Sequence, residues 1–172
     1  MTDINVDLMR PDPVLFPNTP SGVKVHSGFA IEHRKTAPQI LREVKRLMAE
    51  DSSTHVILVG LHLNSRIPNR TECVITYQIG HSLGGALAEL DTLFMKLNLP
   101  AGTTVHGVTF GTPRVGNAAW ATFFDSRIAD FTRMNNNCDI IPIVPGRLLG
   151  FRHPSGEIHI EKDGSAIVCL GE

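Results

Sequence analysis

Gly80-His81-Ser82-Leu83-Gly84 fits the pattern G-x-S-x-G. In that pattern a serine on a sharp strand-to-helix turn has its hydroxyl lifted clear of the chain and available for nucleophilic attack. The residue types serve this directly. Gly80 and Gly84 leave room for strand and helix to approach, and the backbone N–H of Leu83, at the start of the helix, can stabilise an oxyanion with help from the positive helix end. Glycine and serine are common, so the letters alone are also compatible with a Gly-rich turn holding a chance serine. The context decides. Cys73 to Ile79 (CVITYQI) is a strand-like run, and Leu83, Ala86, Leu87, Leu90, Leu93, Phe94 and Leu97 step at helical spacing after the serine.

The elements that must position this turn alternate along the chain. Ile4 to Leu8 reads as a short strand, and Arg10 to Gly22, with four prolines, as a surface loop. Ile31, Ile40, Leu41, Val44, Leu47 and Met48 mark a helix in which Pro38 predicts a kink or a restart. His55 to Gly60 (HVILVG) and Val105 to Phe110 are further apolar, β-branched strands. A helix is expected after Asn117, carrying Trp120, Phe123, Phe124 and Ile128; Phe131 to Met134 reads as a strand. Glu157 to Ile160 and Ala166 to Leu170 form a closing hairpin around Asp163-Gly164. Alternation of strands with helices predicts an α/β fold with a mainly parallel central sheet flanked by helices, in a single domain over residues 1–172.

Composition excludes several classes. The net charge is −1 and no Lys/Arg run exceeds two residues, so the basic stripe that nucleic-acid binding needs is missing. No apolar run approaches the roughly 20 residues of a transmembrane segment. Met1 to Arg10 lacks the positive and apolar regions of a signal peptide. The cysteines, Cys73, Cys138 and Cys169, are odd in number and show no zinc spacing, so they are expected as unpaired thiols. No metal or cofactor site is expected.

Longer strings add a resemblance. Gly80 to Ala88 (GHSLGGALA), Val25 to Ala30 (VHSGFA), Val108 to Asn117 (VTFGTPRVGN), Asn136 to Val144 (NNCDIIPIV) and Pro145 to Ile160 (PGRLLGFRHPSGEIHI) together resemble, in order, the class 3 or fungal-type triacylglycerol lipases, of the α/β-hydrolase fold. The resemblance implies a carboxylic ester hydrolase acting on lipids through an acyl-enzyme, without a cofactor. It makes Ser82 the nucleophile, the Leu83 N–H an oxyanion donor, and Asp139 the triad acid. By residue type alone Asp139 is a turn former or cap. The resemblance also implies secretion and a substrate met at a lipid–water interface, with lipase and feruloyl-type esterase both open. Arg114 and Asn117 are expected to hold loops near the site, His26 and Phe29 to pack at a helix start, and His33, His55 and His106 to lie at the surface or at strand ends.

Three departures from the family pattern accompany the match. The family's histidine lies beyond the GFRHPSGEIHI-like block, which leaves His153 and His159 as substitute bases after Asp139. The family's earlier strand, with its G-[ST] turn and second oxyanion donor, and the lid helix would precede Met1; the sequence therefore reads as an incomplete α/β-hydrolase domain, with the sheet neighbour of the lost strand left as an open edge. Leu61 to Gly80 looks inserted, because Val56 to Gly60 joined to His81 would read VILVGHSLGG, as a translated intron would produce. A regular strand through Ile79 would put Cys73 to Ile79 in the central position. The alternatives to a lipid esterase are a catalytically inert lipase fragment and an acyltransferase using the same serine.

Overall fold

The computed structural model describes residues 6–51, 58–60 and 76–169. In chain order the elements are β1 (Leu8–Met9), β2 (Val25–His26), α1 (Ser27–Asp51), β3 (Leu58–Gly60), β4 (Thr76–His81), α2 (Leu83–Asn98), β5 (Val105–Phe110) and β6 (Gly116–Asn117). They continue with α3 (Ala118–Asp125), β7 (Phe131–Asn136), two 3₁₀ turns (Ile141–Ile143 and Arg147–Leu149), β8 (Phe151–Arg152), β9 (Glu157–Ile160) and β10 (Ala166–Cys169). The main sheet has six strands in the order β10-β9-β7-β5-β4-β3. All its pairings are parallel except the β9–β10 hairpin. A small antiparallel sheet, β1-β2-β6-β8, lies apart from it.

The competition between the two apolar runs before Ser82 resolves in favour of both. Thr76–His81 runs as a regular strand through Ile79 and occupies the interior of the sheet between β5 and β3. Leu58–Gly60 lies beside it in parallel, with Gly60 opposite Gly80. β3 supplies the ladder beside β4 and is itself the last strand of the sheet on that side among the described residues. Residues 61–75 of the segment read as an insertion, and the residues of the predicted strands at 4–5, 55–57, 73–75 and 170, lie outside the described residues, as do Cys73, His55 and His62. Cys138 and Cys169 are free.

Helix α1 is uninterrupted from Ser27 to Asp51, with Pro38 inside it, so the restart expected at Pro38 does not occur. Pro38 lies on the exposed side, where water can satisfy the carbonyl that loses its partner. The opposite stripe of His33, Ala37 and Val44 is buried and holds the helix by packing. Ile31 and Leu47 remain exposed. His33, expected near the surface, is 1% exposed and bonds Asp91 on α2 through Nε2 at 3.0 Å. The Pro-rich segment is likewise no mere surface loop. Its Phe16 is buried, with ring centroids 5.5 Å from His33, 6.1 Å from Phe94 and 5.9 Å from Trp120. Asn117 caps α3 by accepting from the Trp120 N–H at 3.0 Å.

The core formed by Leu90, Leu93 and Phe94 of α2 with Trp120 and Phe124 of α3 contains one acid, Glu89. Its Oε1 accepts from the Trp120 indole N–H at 2.7 Å, and Oε2 has no partner among the described residues. Burial pushes the carboxyl up from 4.5 to about 8, against the opposing pull of the Trp120 bond and the nearby Arg133 charge. Folding thus favours the protonated acid. Its contribution to stability is full below pH 4.5, and declines as pH rises through the folded value near 8, because only the unfolded chain ionises readily across that window. Glu89→Gln, which keeps the bond to Trp120 without a charge, is expected to flatten this decline. Urea denaturation followed by Trp120 fluorescence from pH 5 to 9 checks it, and an unchanged slope would count against a protonated Glu89.

Candidate active site

β4 ends at His81 and α2 begins at Leu83, so Ser82 alone makes the turn between them. It does so at φ 53° and ψ −123°, a backbone conformation that side-chain-bearing residues rarely adopt. Three bonds hold it there. The Ser82 N–H donates to the Phe110 carbonyl at 3.0 Å, and the Ser82 carbonyl accepts from Gly85 N–H at 3.0 Å and Ala86 N–H at 3.2 Å. The turn closes only without side chains around it. A Cβ on Gly80 would lie 2.2 Å from the Gly84 carbonyl oxygen, and one on Gly85 would lie 2.3 Å from Thr112 Oγ1. The room is thus demanded at Gly80 and Gly85, and Gly84 contributes the carbonyl that comes close to Gly80. The Leu83 N–H belongs to the first helical turn, whose amides point out of the helix without a helical acceptor. The Leu83 side chain is 43% exposed.

Asp139 follows β7, two strands away from β4 in the sheet. Adjacent strands lie about 4.8 Å apart, so the ends of β4 and β7 are separated by about 10 Å. Gly111, just past β5, fills the space between them. Its φ is +52°, and a Cβ there would meet Asp139 Oδ2 at 2.5 Å and His81 Nε2 at 3.6 Å. Asp139 Oδ1 accepts from the Ile141 N–H at 2.9 Å, which leaves Oδ2 as the oxygen facing Gly111. A cleft of about 510 Å³ opens here, with His81, Phe110, Met134, Asp139 and Ile160 among its walls. Ser82 does not line it, although His81 beside it does. In the linear motif His81 is only the variable position before the serine; its place near Asp139 comes from strand pairing, which a linear pattern does not report.

The two later histidines are placed elsewhere. His153 is 6% exposed, and its Nε2 bonds the Pro142 carbonyl at 2.9 Å. His159 sits on β9 with Nδ1 3.8 Å from Glu157 Oε1. Neither lines the cleft beside Asp139. His26 stacks on Phe29 at 4.3 Å between ring centroids and accepts from the Gly28 N–H at 3.1 Å, so both pack at the helix start as expected. Arg114 is buried under the loop that follows Asp139. Its guanidinium donates to the Ile143 and Pro145 carbonyls, and its backbone N–H donates to the Val144 carbonyl at 2.9 Å. Asn117 similarly ties Lys24 and Gly22. Among the described residues no cluster of His, Cys, Asp and Glu could hold a metal ion, and no helix is long and apolar enough to cross a membrane.

The sequence profile of Lipase (class 3) matches residues 2–149. The chain belongs to the class 3 lipases. Among its relatives, a secreted mono- and diacylglycerol lipase of Malassezia restricta is 31% identical over 163 residues, covering 94% of this chain and 45% of that one. A secreted mono- and diacylglycerol lipase of Malassezia globosa is 33% identical over 142 residues, covering 82% and 40% respectively. This class 3 lipase chain thus spans about half the length of the curated relatives it matches. Lipase II from Rhizopus niveus superposes with a TM-score of 0.76 at 25% identity, over 99% of this chain and 57% of that one. A triacylglycerol lipase from Penicillium expansum gives 0.74 at 26%, over 99% and 59%. The fold is that of the α/β-hydrolases.

Arg114→Ala removes charge-assisted bonds to two carbonyls of the loop behind Asp139 and is expected to cost about 3 kcal/mol. The denaturation midpoint of the variant measures it, and a midpoint equal to the wild type would show that the clamp contributes nothing.

Proposed function

We propose that this protein is a serine hydrolase of lipid carboxylic esters, with acylglycerols as the substrate class. The observation that carries the proposal is the backbone of Ser82, held at φ 53° at the end of an interior parallel strand and at the mouth of α2. In this reading the Ser82 hydroxyl attacks the ester carbonyl carbon, and the Leu83 N–H, at the positive helix end, receives the developing oxyanion. Collapse of the tetrahedral intermediate expels the alcohol with a proton and leaves an acyl group on Ser82. Water then adds, and loss of the serine oxygen releases the carboxylic acid. Asp139, with Oδ2 turned toward the cleft, orients the base.

That base must reach both Ser82 and Asp139 across about 10 Å, which suits an imidazole bonded at both nitrogens. His153 and His159 are poorly disposed for the role. His153 is buried against Pro142, and His159 belongs to a strand whose neighbour Glu157 engages it. This arrangement favours a second reading, in which the chain by itself binds acyl groups at Ser82 without turning them over. The relatives' names, secreted mono- and diacylglycerol lipases, support extending the proposal to a secreted enzyme; action at a lipid–water interface and a single lipase domain belong to the same proposal.

A fluorescent phosphonate that reacts only with activated serines separates the two readings. Labelling of the folded chain that disappears in Ser82→Ala supports a working nucleophile. Asp139→Asn is then expected to slow labelling by several orders of magnitude, as loss of a triad member does. A folded chain that takes no label, and releases no p-nitrophenol from p-nitrophenyl butyrate, would leave only the acyl-binding reading.

A further inference from the structure

Two close contacts fix how α2 lies on the sheet. Near its start Gly85 faces Thr112, and further along, a Cβ on Gly107 of β5 would lie 2.8 Å from Thr92 Oγ1. The helix therefore runs against the direction of β5. Glu89 sits between the two contacts, on the same helical face as Gly85 and Thr92. Thr109 shares the face of β5 that Gly107 presents, since alternate residues of a strand point the same way. Glu89 is thus carried over Thr109, which is paired across the ladder with Arg133 of β7.

Glu89 Oε2, Thr109 Oγ1 and Arg133 Nη1 all lie in this layer without a partner among the described residues. Their residues are 0%, 0% and 2% exposed, so bulk water does not satisfy them. Buried polar atoms are nearly always bonded, and an exception calls for a reason. Here an acceptor and a donor are left over on the same side of the sheet. A carboxylate oxygen and a guanidinium N–H are matched partners for a charge-assisted bond.

Each residue is held by another group. Glu89 Oε1 accepts from the Trp120 indole N–H of α3. Arg133 is turned to the segment before β9: Nε donates to the Pro154 carbonyl at 3.0 Å, and Nη2 reaches Glu157 Oε2 at 3.3 Å, long for a charge-assisted bond. The charges acting on Glu89 are the Arg133 cation, which favours its ionisation, and the Asp125 carboxylate of α3, which opposes it. Histidines on the other elements packed against α2 are directed elsewhere. His33 of α1 bonds Asp91, His106 of β5 bonds Asp130, and His81 of β4 lines the cleft.

We propose that Glu89 and Arg133 are a latent ion pair: when the Glu89 carboxyl gives its proton to solvent, Oε2 takes the Nη1 donor, and α2 exchanges its anchor on α3 for one on β7. α2 begins beside Ser82, and β7 leads to Asp139. Glu89 is therefore a positioning residue, and its proton sets how the nucleophile's helix is seated. The consequence for Ser82 rests on the hydrolase reading above; the ion pair does not.

Trp120 is the single tryptophan and bonds Glu89 directly, so its fluorescence between pH 6 and 10 reads the exchange. The folded wild type is expected to show one reversible transition near the value of about 8 that burial imposes on Glu89. Glu89→Gln is expected to abolish it. Glu157→Gln, which releases the competing grip on Arg133, should lower the midpoint by about one pH unit. Far-UV circular dichroism establishes that each chain stays folded across the range. Absence of a transition in the folded wild type, its survival in Glu89→Gln, or an unmoved midpoint in Glu157→Gln overturns the pair. Phosphonate labelling of Ser82 is followed over the same range and is expected to fall several-fold through the transition, with that break missing in Glu89→Gln. Labelling that shows no such break overturns the link to Ser82. A chain that never labels overturns the hydrolase reading, while Trp120 still reports the pair.

Discussion

The contact between β4 and the first turn of α2 is closer than side chains permit, and the rest of the site follows from it. Gly80 faces the Gly84 carbonyl at a distance no Cβ could occupy, and Gly85 faces Thr112 in the same way. With strand and helix pressed together, the single residue between them must reverse direction in one step, and Ser82 takes a positive φ to do so. Such strain persists only where the surroundings over-determine it. Here the surroundings are the Phe110 carbonyl on one side and two helical amides on the other. The sheet does the remaining positioning. Its parallel strands all end on the same side, so the turns after β4, β5 and β7 bring Ser82, Gly111 and Asp139 to one edge.

The layer behind this edge is more polar than its surroundings suggest. Glu89 and Trp120 are both fully buried and joined by one bond, and Arg133, 2% exposed, spans from the Pro154 carbonyl to Glu157. These groups tie α2 to α3, and β7 to β9, at points where apolar packing would allow several registers. A buried acid kept neutral is tolerable because a carboxylic acid desolvates far more cheaply than a carboxylate. Arg133, which cannot shed its charge, is instead met by a carbonyl and a carboxylate.

Much of this was legible in the sequence, and the remainder was not for identifiable reasons. The strand, turn and helix around Ser82, the α3 helix after its Asn117 cap and the hairpin at Asp163-Gly164 follow from local pattern, and the structure has all three. Periodicity reports which face of an element is apolar. It is silent on a polar residue inside that face, so it gives no sign of Glu89 within the α2 stripe and places His33 of α1 at the surface, where the structure buries both. The burial of Phe16 depends on His33, Phe94 and Trp120, which come together only in three dimensions. Parallel pairing is equally non-local, and Leu58–Gly60 could not be placed beside β4 by inspection. At the site, the motif led to Ser82 and the family resemblance to Asp139. Neither led to His81, whose neighbours come from β5 and from the turn after β7.

The hydrogen bond from Ser82 to Phe110 spans 28 residues of chain and has a temporal meaning. During synthesis and folding, α2 can form early, since its bonds are local. The strand that braces its first residue is made later and must cross over and dock before the turn is locked. Until then Ser82 is free to relax into an ordinary helix-cap geometry. The sharp posture of the serine therefore depends on β5 being docked beside β4. A backbone posture of this kind is a property of the finished sheet, conferred on a residue that has been present in the chain all along.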